Sequence, residues 1–456
     1  MDQAMTARPG GLRRLAPFLI LGALPFLVFW RLTVGLDTLA RGDFLEQNYP
    51  LRLFAARAWS TGQLPLWDPL IAGGQPSLAD FLTCALYPPN LLTELLSLPW
   101  GFPLRALEFE VLVHLGMAGI FTFIFVRQIL ASDLAALVAG LIFALGGYAT
   151  SFPMEQNHIL ESAVWLPVIL WFLELAFARR NLLYYVGAGA ALGVCLLAGH
   201  PQTVLYMGLC FGHYWLWRWL EVREPRHLLG LVYMGLAAAM LSLPQLLPFA
   251  ELAAQTTRAS MDYTTAASGL APHELWALLA PFHGGTTALY VGLSTLVLAP
   301  LALGVARWRR QTVFWAFLAV CAVLLGMGAN GPLYPLFHEV VPGIGLVRQQ
   351  ERTLVVFALA MGILAGGGVK ALLDQPFARG LAAAGVALTL ALGGGLWMLG
   401  PSLPAAVMDV LPRLGVFFAL TAALLVWLAV SGRWRAVAVA AVVTLLVVDL
   451  ATATTH

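Results

Sequence analysis

Apolar residues in this chain run in long, nearly unbroken segments joined by polar connections. A helix needs roughly 20 such residues to cross the hydrocarbon core. About 13 segments approach that length, centred on residues 15–34, 106–126, 134–151, 159–178, 182–198, 202–220, 228–249, 287–306, 312–329, 353–371, 380–399, 413–431 and 436–452. The runs are continuous and lack the strict alternation of an outer-membrane barrel strand. The pattern predicts an all-α integral membrane protein, a polytopic bundle forming one transmembrane domain over 1–456. Composition agrees, with 60% hydrophobic and 11% charged residues where soluble domains carry roughly 25% charged. So little charge cannot cover a water-facing surface.

Charge placement gives the bundle an expected orientation. With the N-terminus cytoplasmic, 16 of the 25 basic residues fall in short inner connections, as the positive-inside rule requires. Met1 to Arg14 carries three arginines ahead of an apolar run, which fits a signal anchor better than a cleaved signal peptide. The net charge of +2 gives no sign of a nucleic-acid partner, and none is expected. The scattered Cys84, Cys195, Cys210 and Cys321 suit small core residues and not a disulfide framework or metal set. The outer connections, 35–105, 250–286, 330–352 and 400–412, are long and rich in Pro, Gly, His and aromatics. Chemistry is therefore expected on the extracytoplasmic face.

The first outer loop, 35–105, is too long for a simple link and is not composed like a disordered one. "YPLRLFAARAWSTG" (49–62) puts Leu51, Phe54, Ala55, Ala58 and Trp59 on one face and Arg52 and Arg57 elsewhere, predicting a helix in the membrane surface. "GQLPLWDPLIAGGQPSLAD" (62–80) predicts a shaped, turn-rich stretch. Ahead of the helix, "RGDFLEQNYP" (41–50) holds Asp43 and Glu46 one helical turn apart. They could be solvated, or form a capping box. Alternatively, a carboxylate at the bilayer edge can serve as a general base.

Taken together, "GDFLEQNYP", "QLPLWDPLIAGGQPSLAD" and "YPPN" of this loop, "GGYATSFPMEQNHILESAVWLP" (146–167), "AGHPQTVLY" (198–206) and "VRQQERTLVVFALAMGILAGGG" (347–368) resemble the YfhO-type bacterial membrane proteins. That type is similar in plan to the GT-C superfamily of glycosyltransferases. The resemblance covers nearly the whole chain and is most specific in the first loop and at "GHPQT". It implies a GT-C-like helical fold with its site on the outer face, a polyprenyl-phosphate sugar as donor, and an acidic residue of the first loop as base. Asp43 is the matching position, with Glu46 as helper and Gln47 as a substrate-binding candidate. Members of that type often continue into an extracytoplasmic C-terminal region. This chain stops at "DLATATTH", as a short form or a fragment would.

Other polar groups are candidates for the same site. Glu155 and His158 lie in the turn between the third and fourth segments. They either solvate themselves or line the site roof, sharing a ligand if the turn is helical. His200 and Gln202 flank Pro201 at the membrane edge, where polar groups are costly. Arg348 and Arg352, beside Glu351, could hold a phosphodiester, which arginine grips in a bidentate way; a lipid headgroup or Glu351 could equally pair with them. His273, Glu274 and His283 lie in a loop that could form a lid, and Arg258 is a weaker phosphate candidate. Glu108, Glu110, His114 and Glu161 could line the cavity, whereas Glu174 suits a pair with Arg179. A divalent cation, Mg or Mn, could assist, although no tight ligand cluster demands one.

The expected function is a membrane glycosyltransferase moving a hexosyl or pentosyl unit to an envelope glycan, lipid or protein acceptor. The alternatives are a transporter or lipid flippase and a non-catalytic envelope assembly protein. Polar residues gathered at the outer face, not mid-span, favour the enzyme.

Overall fold

The computed structural model describes residues 11–71, 73–256, 261–279, 287–304, 308–374, 378–399, 405–430 and 435–454. It is a helical bundle, and among the described residues there is no strand beyond one isolated bridge, Asp68 to Gln75. The helices that matter below are α1 (Gly11–Val28), α2 (Tyr49–Ser60), α3 (Pro88–Ser97), α4 (Leu104–Leu130), α5 (Asp133–Leu145), α6 (Asn157–Arg179), α7 (Leu183–Leu197), α8 (Pro201–Val222), α9 (Arg226–Ala253), α10 (Leu293–Leu301), α11 (Arg309–Gly326), α12 (Leu354–Asp374), α13 (Ala378–Leu399), α14 (Ala405–Val430) and α15 (Arg435–Thr454).

Each of the thirteen expected segments contains helix among its described residues, though in 287–306 that helix covers only Leu293–Gly304. Among the described residues, eight helices are long and apolar enough to cross a membrane, and four further apolar helices are shorter. α8 has the length, 22 residues, but is not among the eight. Length and composition alone thus support eight crossings.

α12 is the axis of the bundle: 89% of its apolar window is buried, against 28% for the peripheral α9. Its "GILAGGG" stretch explains why. A Cβ on Gly366 would lie 2.5 Å from the Ala135 carbonyl of α5, and one on Gly368 would run into the Leu298 carbonyl of α10. Small residues let helix backbones touch where lipid supplies no hydrophobic drive between helices. α9 buries only a stripe, including His227, Gly230, Met234, Ala238, Ser242 and Gln245, and turns the rest of its surface outward. At the far end of the chain, Asp449 of α15 accepts from Tyr290 Oη (2.5 Å) and from the Leu293 amide (2.7 Å), locking α15 over the start of α10.

The first long loop folds onto the bundle. α2 is not a bare surface helix, because Arg52 sits in its buried face with Leu51, Ala55 and Ala56. α2 packs against α3, and the Asn48 amide donates to the Glu155 carbonyl (3.1 Å), tying the loop to the turn ahead of α6.

Candidate active site

Polar groups from three separated stretches, around Gln156, His200–Gln202 and Gln349–Arg352, meet at one guanidinium. Arg352 donates from one nitrogen to His200 Nε2 (2.7 Å) and Gln202 Oε1 (3.0 Å). From the other it donates to Gln156 Oε1 (3.1 Å) and Gln349 Oε1 (2.7 Å). Every one of these partners is neutral, and among the described residues no carboxylate lies within ion-pair distance of Arg352. A half-buried cation held only by neutral acceptors keeps its charge available for an anion.

The Gln156 amide then reaches the first loop, where its Nε2 donates to Asp43 Oδ2 (2.7 Å). Its orientation is fixed by its neighbours, because a carboxylate can only accept and a guanidinium can only donate. Asp43 Oδ1 has no partner among the described residues. Asp43 stands at the N-terminus of a π-helical turn, Phe44–Asn48, but makes no side-chain cap. The capping-box expectation therefore fails, and the carboxylate is turned to Gln156 instead.

His200 sits between two donors: its Nε2 lies 2.7 Å from the Arg352 guanidinium, and its Nδ1 lies 3.1 Å from the Thr203 amide and 2.6 Å from Thr203 Oγ1. Gly199, with φ +85°, makes the turn that lifts His200 into place. His158 faces His200 with ring centroids 5.2 Å apart, and its buried Nδ1 has no hydrogen-bond partner. A buried polar atom left unpaired is costly.

The structure thus gathers Asp43, His158, His200, Gln202 and Arg352. The Glu155 carboxylate pairs with Arg41 at 2.6 Å on the surface. Arg348 contributes its backbone carbonyl to Gln202, while its side chain is exposed. Glu46 and Gln47 are exposed and unpartnered among the described residues. His273 is exposed, and Glu274 accepts from the Ala271 amide (2.7 Å) as a helix-capping group. His283 and Arg258 lie outside the described residues. Gln156 and Gln349 are the site residues that the sequence reading missed. The available signal was a run of four polar residues, Glu155 to His158, in a turn too short to solvate them all.

Beneath this site lies a second, fully buried cluster. Arg52 donates to Glu94 (2.6 Å) and in bidentate fashion to Glu110 (2.8 and 3.0 Å), with Glu161 at 3.7 Å. Asn90 and Asn157 donate to the two Glu161 oxygens (3.2 and 2.6 Å). Burial opposes the Arg52 charge, yet Glu110, Glu94 and Glu161 outweigh it and hold the guanidinium well above its usual range. Burial pushes the Glu94 carboxyl up to about 7, against the pull of Arg52. His114 Nδ1 donates to the Glu110 carbonyl (2.8 Å), and its Nε2 lies 3.0 Å from Tyr87 Oη. With one cation among three carboxyl groups, a buried site does not hold all three ionised. Glu110, His114 and Glu161 bring one ligand atom each within 4.8 Å of one another. Those atoms could share a divalent ion, because Tyr87 Oη can turn from His114 to the Glu161 carbonyl (3.3 Å). A nitrogen with two carboxylates suits zinc or manganese better than magnesium.

Glu110 and His114 also form the floor of a groove of about 860 Å³. Its walls are Leu92, Leu96, Trp100, Phe109, Val113 and Met117, on α3, the turn after it and α4. It is an almost wholly apolar slot.

The fold is GT-C-like. It is shared with ArnT from Cupriavidus metallidurans bound to undecaprenyl phosphate, with a TM-score of 0.53 and 14% identity over 98% of this chain and 77% of that one. The apo state of the same protein aligns with a TM-score of 0.49, at 14% identity over 97% of this chain and 77% of that one. No family model and no curated protein sequence matches this chain.

Proposed function

We propose that this protein is a membrane glycosyltransferase that moves a sugar from a polyprenyl-phosphate donor to a hydroxyl of an envelope acceptor on the extracytoplasmic face. The observation that carries the reading is the bridge Asp43–Gln156–Arg352. One amide holds a carboxylate with a free oxygen beside a guanidinium with no anionic partner. That pairing suits a displacement in which one group takes a proton while the other receives a departing phosphate. The GT-C-like fold shared with a protein crystallised with undecaprenyl phosphate supports the same donor class.

In this reading Asp43 Oδ1 removes the proton of the acceptor hydroxyl. The oxygen attacks the anomeric carbon, the bond to phosphate breaks, and the configuration inverts in a single displacement. Arg352 takes up the charge developing on the phosphate, with the exposed Arg348 as a second cation beside it. The unpaired Nδ1 of His158 contacts a sugar or phosphate oxygen. The 860 Å³ groove suits one hydrocarbon chain of a lipid substrate. A divalent ion, where bound, would sit at Glu110, His114 and Glu161 and neutralise the buried carboxylates; no step of the transfer passes through it.

The test is release of free lipid phosphate from a panel of polyprenyl-phosphate sugars by the purified protein in proteoliposomes. Release from at least one donor is expected. No release from any donor, with envelope lipid and glycan extracts present as acceptors, would refute the reading.

A further inference from the structure

The turn between α2 and α3 is built to hold apolar side chains outward. Leu64, Leu66, Trp67 and Leu70 are 53%, 56%, 57% and 75% exposed. The turn itself is well made. Asp68 and Gln75 exchange two backbone hydrogen bonds (2.8 and 2.9 Å), and Asp68 Oδ1 accepts from the Leu70 amide (2.8 Å). The Trp67 ring lies across Gly74, where a Cβ would fall 2.7 Å from it and φ is +117°. The only charged residue between Arg57 and Asp80 is Asp68, and it is buried. Four large apolar side chains fixed in water cost about 25 cal/mol for each Å² exposed, so this surface asks for a cover.

Its height identifies the cover. The segment after the turn is seated on the outer end of α9: Gln245 Nε2 donates to the Leu78 carbonyl, and the Phe81 and Phe249 rings meet at 4.0 Å. Gln245 follows Arg226, the first residue of α9, by 19 residues, which at about 1.5 Å each is about 28 Å. That nearly matches the ~30 Å hydrocarbon thickness, so the base of the turn sits at the outer edge of the bilayer core. Around it α9 exposes Leu241, Leu243 and Leu247. Tryptophan concentrates at this boundary, where its ring is apolar and its N–H is wet.

We propose that residues 64–71 insert into the outer leaflet of the phospholipid bilayer. Trp67 lies at headgroup level and Leu64, Leu66 and Leu70 enter the acyl boundary. The first outer loop, which carries Asp43 and Arg52, is moored to the membrane at this point. The proposal is independent of the reaction catalysed.

The test places a bimane label at Leu70→Cys in a background with Cys321→Ser, the other three cysteines being buried. The protein is reconstituted in vesicles of phosphatidylethanolamine and phosphatidylglycerol. Leu247→Cys serves as the lipid-facing control and Gln63→Cys as the aqueous one. Loss of emission in brominated lipid, matching Leu247→Cys, with little loss to aqueous iodide, is expected; a label at Leu66→Cys should behave the same way. Iodide quenching equal to that at Gln63→Cys would overturn the proposal. So would protection from both quenchers, which would mean that protein, such as a second copy, covers the turn.

Discussion

Replacing Arg52 by alanine removes the one cation from a fully buried set of three carboxylates. The guanidinium makes contacts of 2.6, 2.8 and 3.0 Å to Glu94 and Glu110 and lies 3.7 Å from Glu161. Breaking a buried ion pair by deleting one partner costs about 3–5 kcal/mol, because the other charge is left uncompensated. Here more than one carboxylate is orphaned, so a loss near the top of that range, about 5 kcal/mol, is expected. With an unfolding entropy of about 2.1 cal/mol/K per residue, a chain of this length has roughly 1 kcal/mol/K in total, and the melting midpoint should fall by about 5 °C. Glu94→Gln should cost far less, on the order of 1 kcal/mol, since an amide keeps the Arg52 contact and replaces a carboxyl already near half-protonation at neutral pH. The assay is thermal melting of the purified protein in one detergent at pH 7, followed by tryptophan emission. An Arg52→Ala midpoint within 1 °C of wild type, or a Glu94→Gln loss as large as that of Arg52→Ala, would refute this view of the cluster.

Raising the pH from 5 to 8 should lower the wild-type midpoint and leave that of Glu94→Gln nearly flat. The folded Glu94 holds its proton up to about 7, against an ordinary value of 4.5. Its contribution is therefore full below about 4.5 and lost as pH rises through 7; a wild-type midpoint that rises across this window would contradict it. Gln156→Glu should cut lipid-phosphate release roughly 10²-fold, as expected for loss of a positioned donor, with an unchanged melting midpoint; unimpaired release would show that the bridge is incidental. Gly199→Ala should destabilise by about 1–3 kcal/mol, because φ is +85° and the new Cβ would run into the Phe81 carbonyl and lie 2.5 Å from Cys84 Sγ. A midpoint equal to wild type would mean that the turn has room to relax.

Much of this site was legible as chemistry that apolar segments do not need. Asp43, the 155–158 turn, "GHPQT" and "VRQQER" each place polar groups at a membrane edge, and the fold brings them together on Arg352. What the sequence concealed was pairing over distance. Arg52 meets Glu94 and Glu110 across 42 and 58 residues, so its helix face looked merely polar when it is buried. Glu46 misled for a local reason. An i, i+3 spacing stacks side chains on an α-helix, but this segment is π-helical, with wider i→i+5 turns, and Glu46 swings into solvent. The Gln156 bridge was hidden because an amide carries no charge to draw attention to it.

The central claim is that Asp43 is the general base of a sugar transfer. Its most direct test compares wild type with Asp43→Asn for release of free lipid phosphate from a polyprenyl-phosphate sugar in proteoliposomes. Asparagine keeps the size of the side chain and removes the basic oxygen. The account predicts robust release by wild type and a loss of at least roughly 10²-fold in the variant, with the same melting midpoint. Equal release by the two proteins would contradict it.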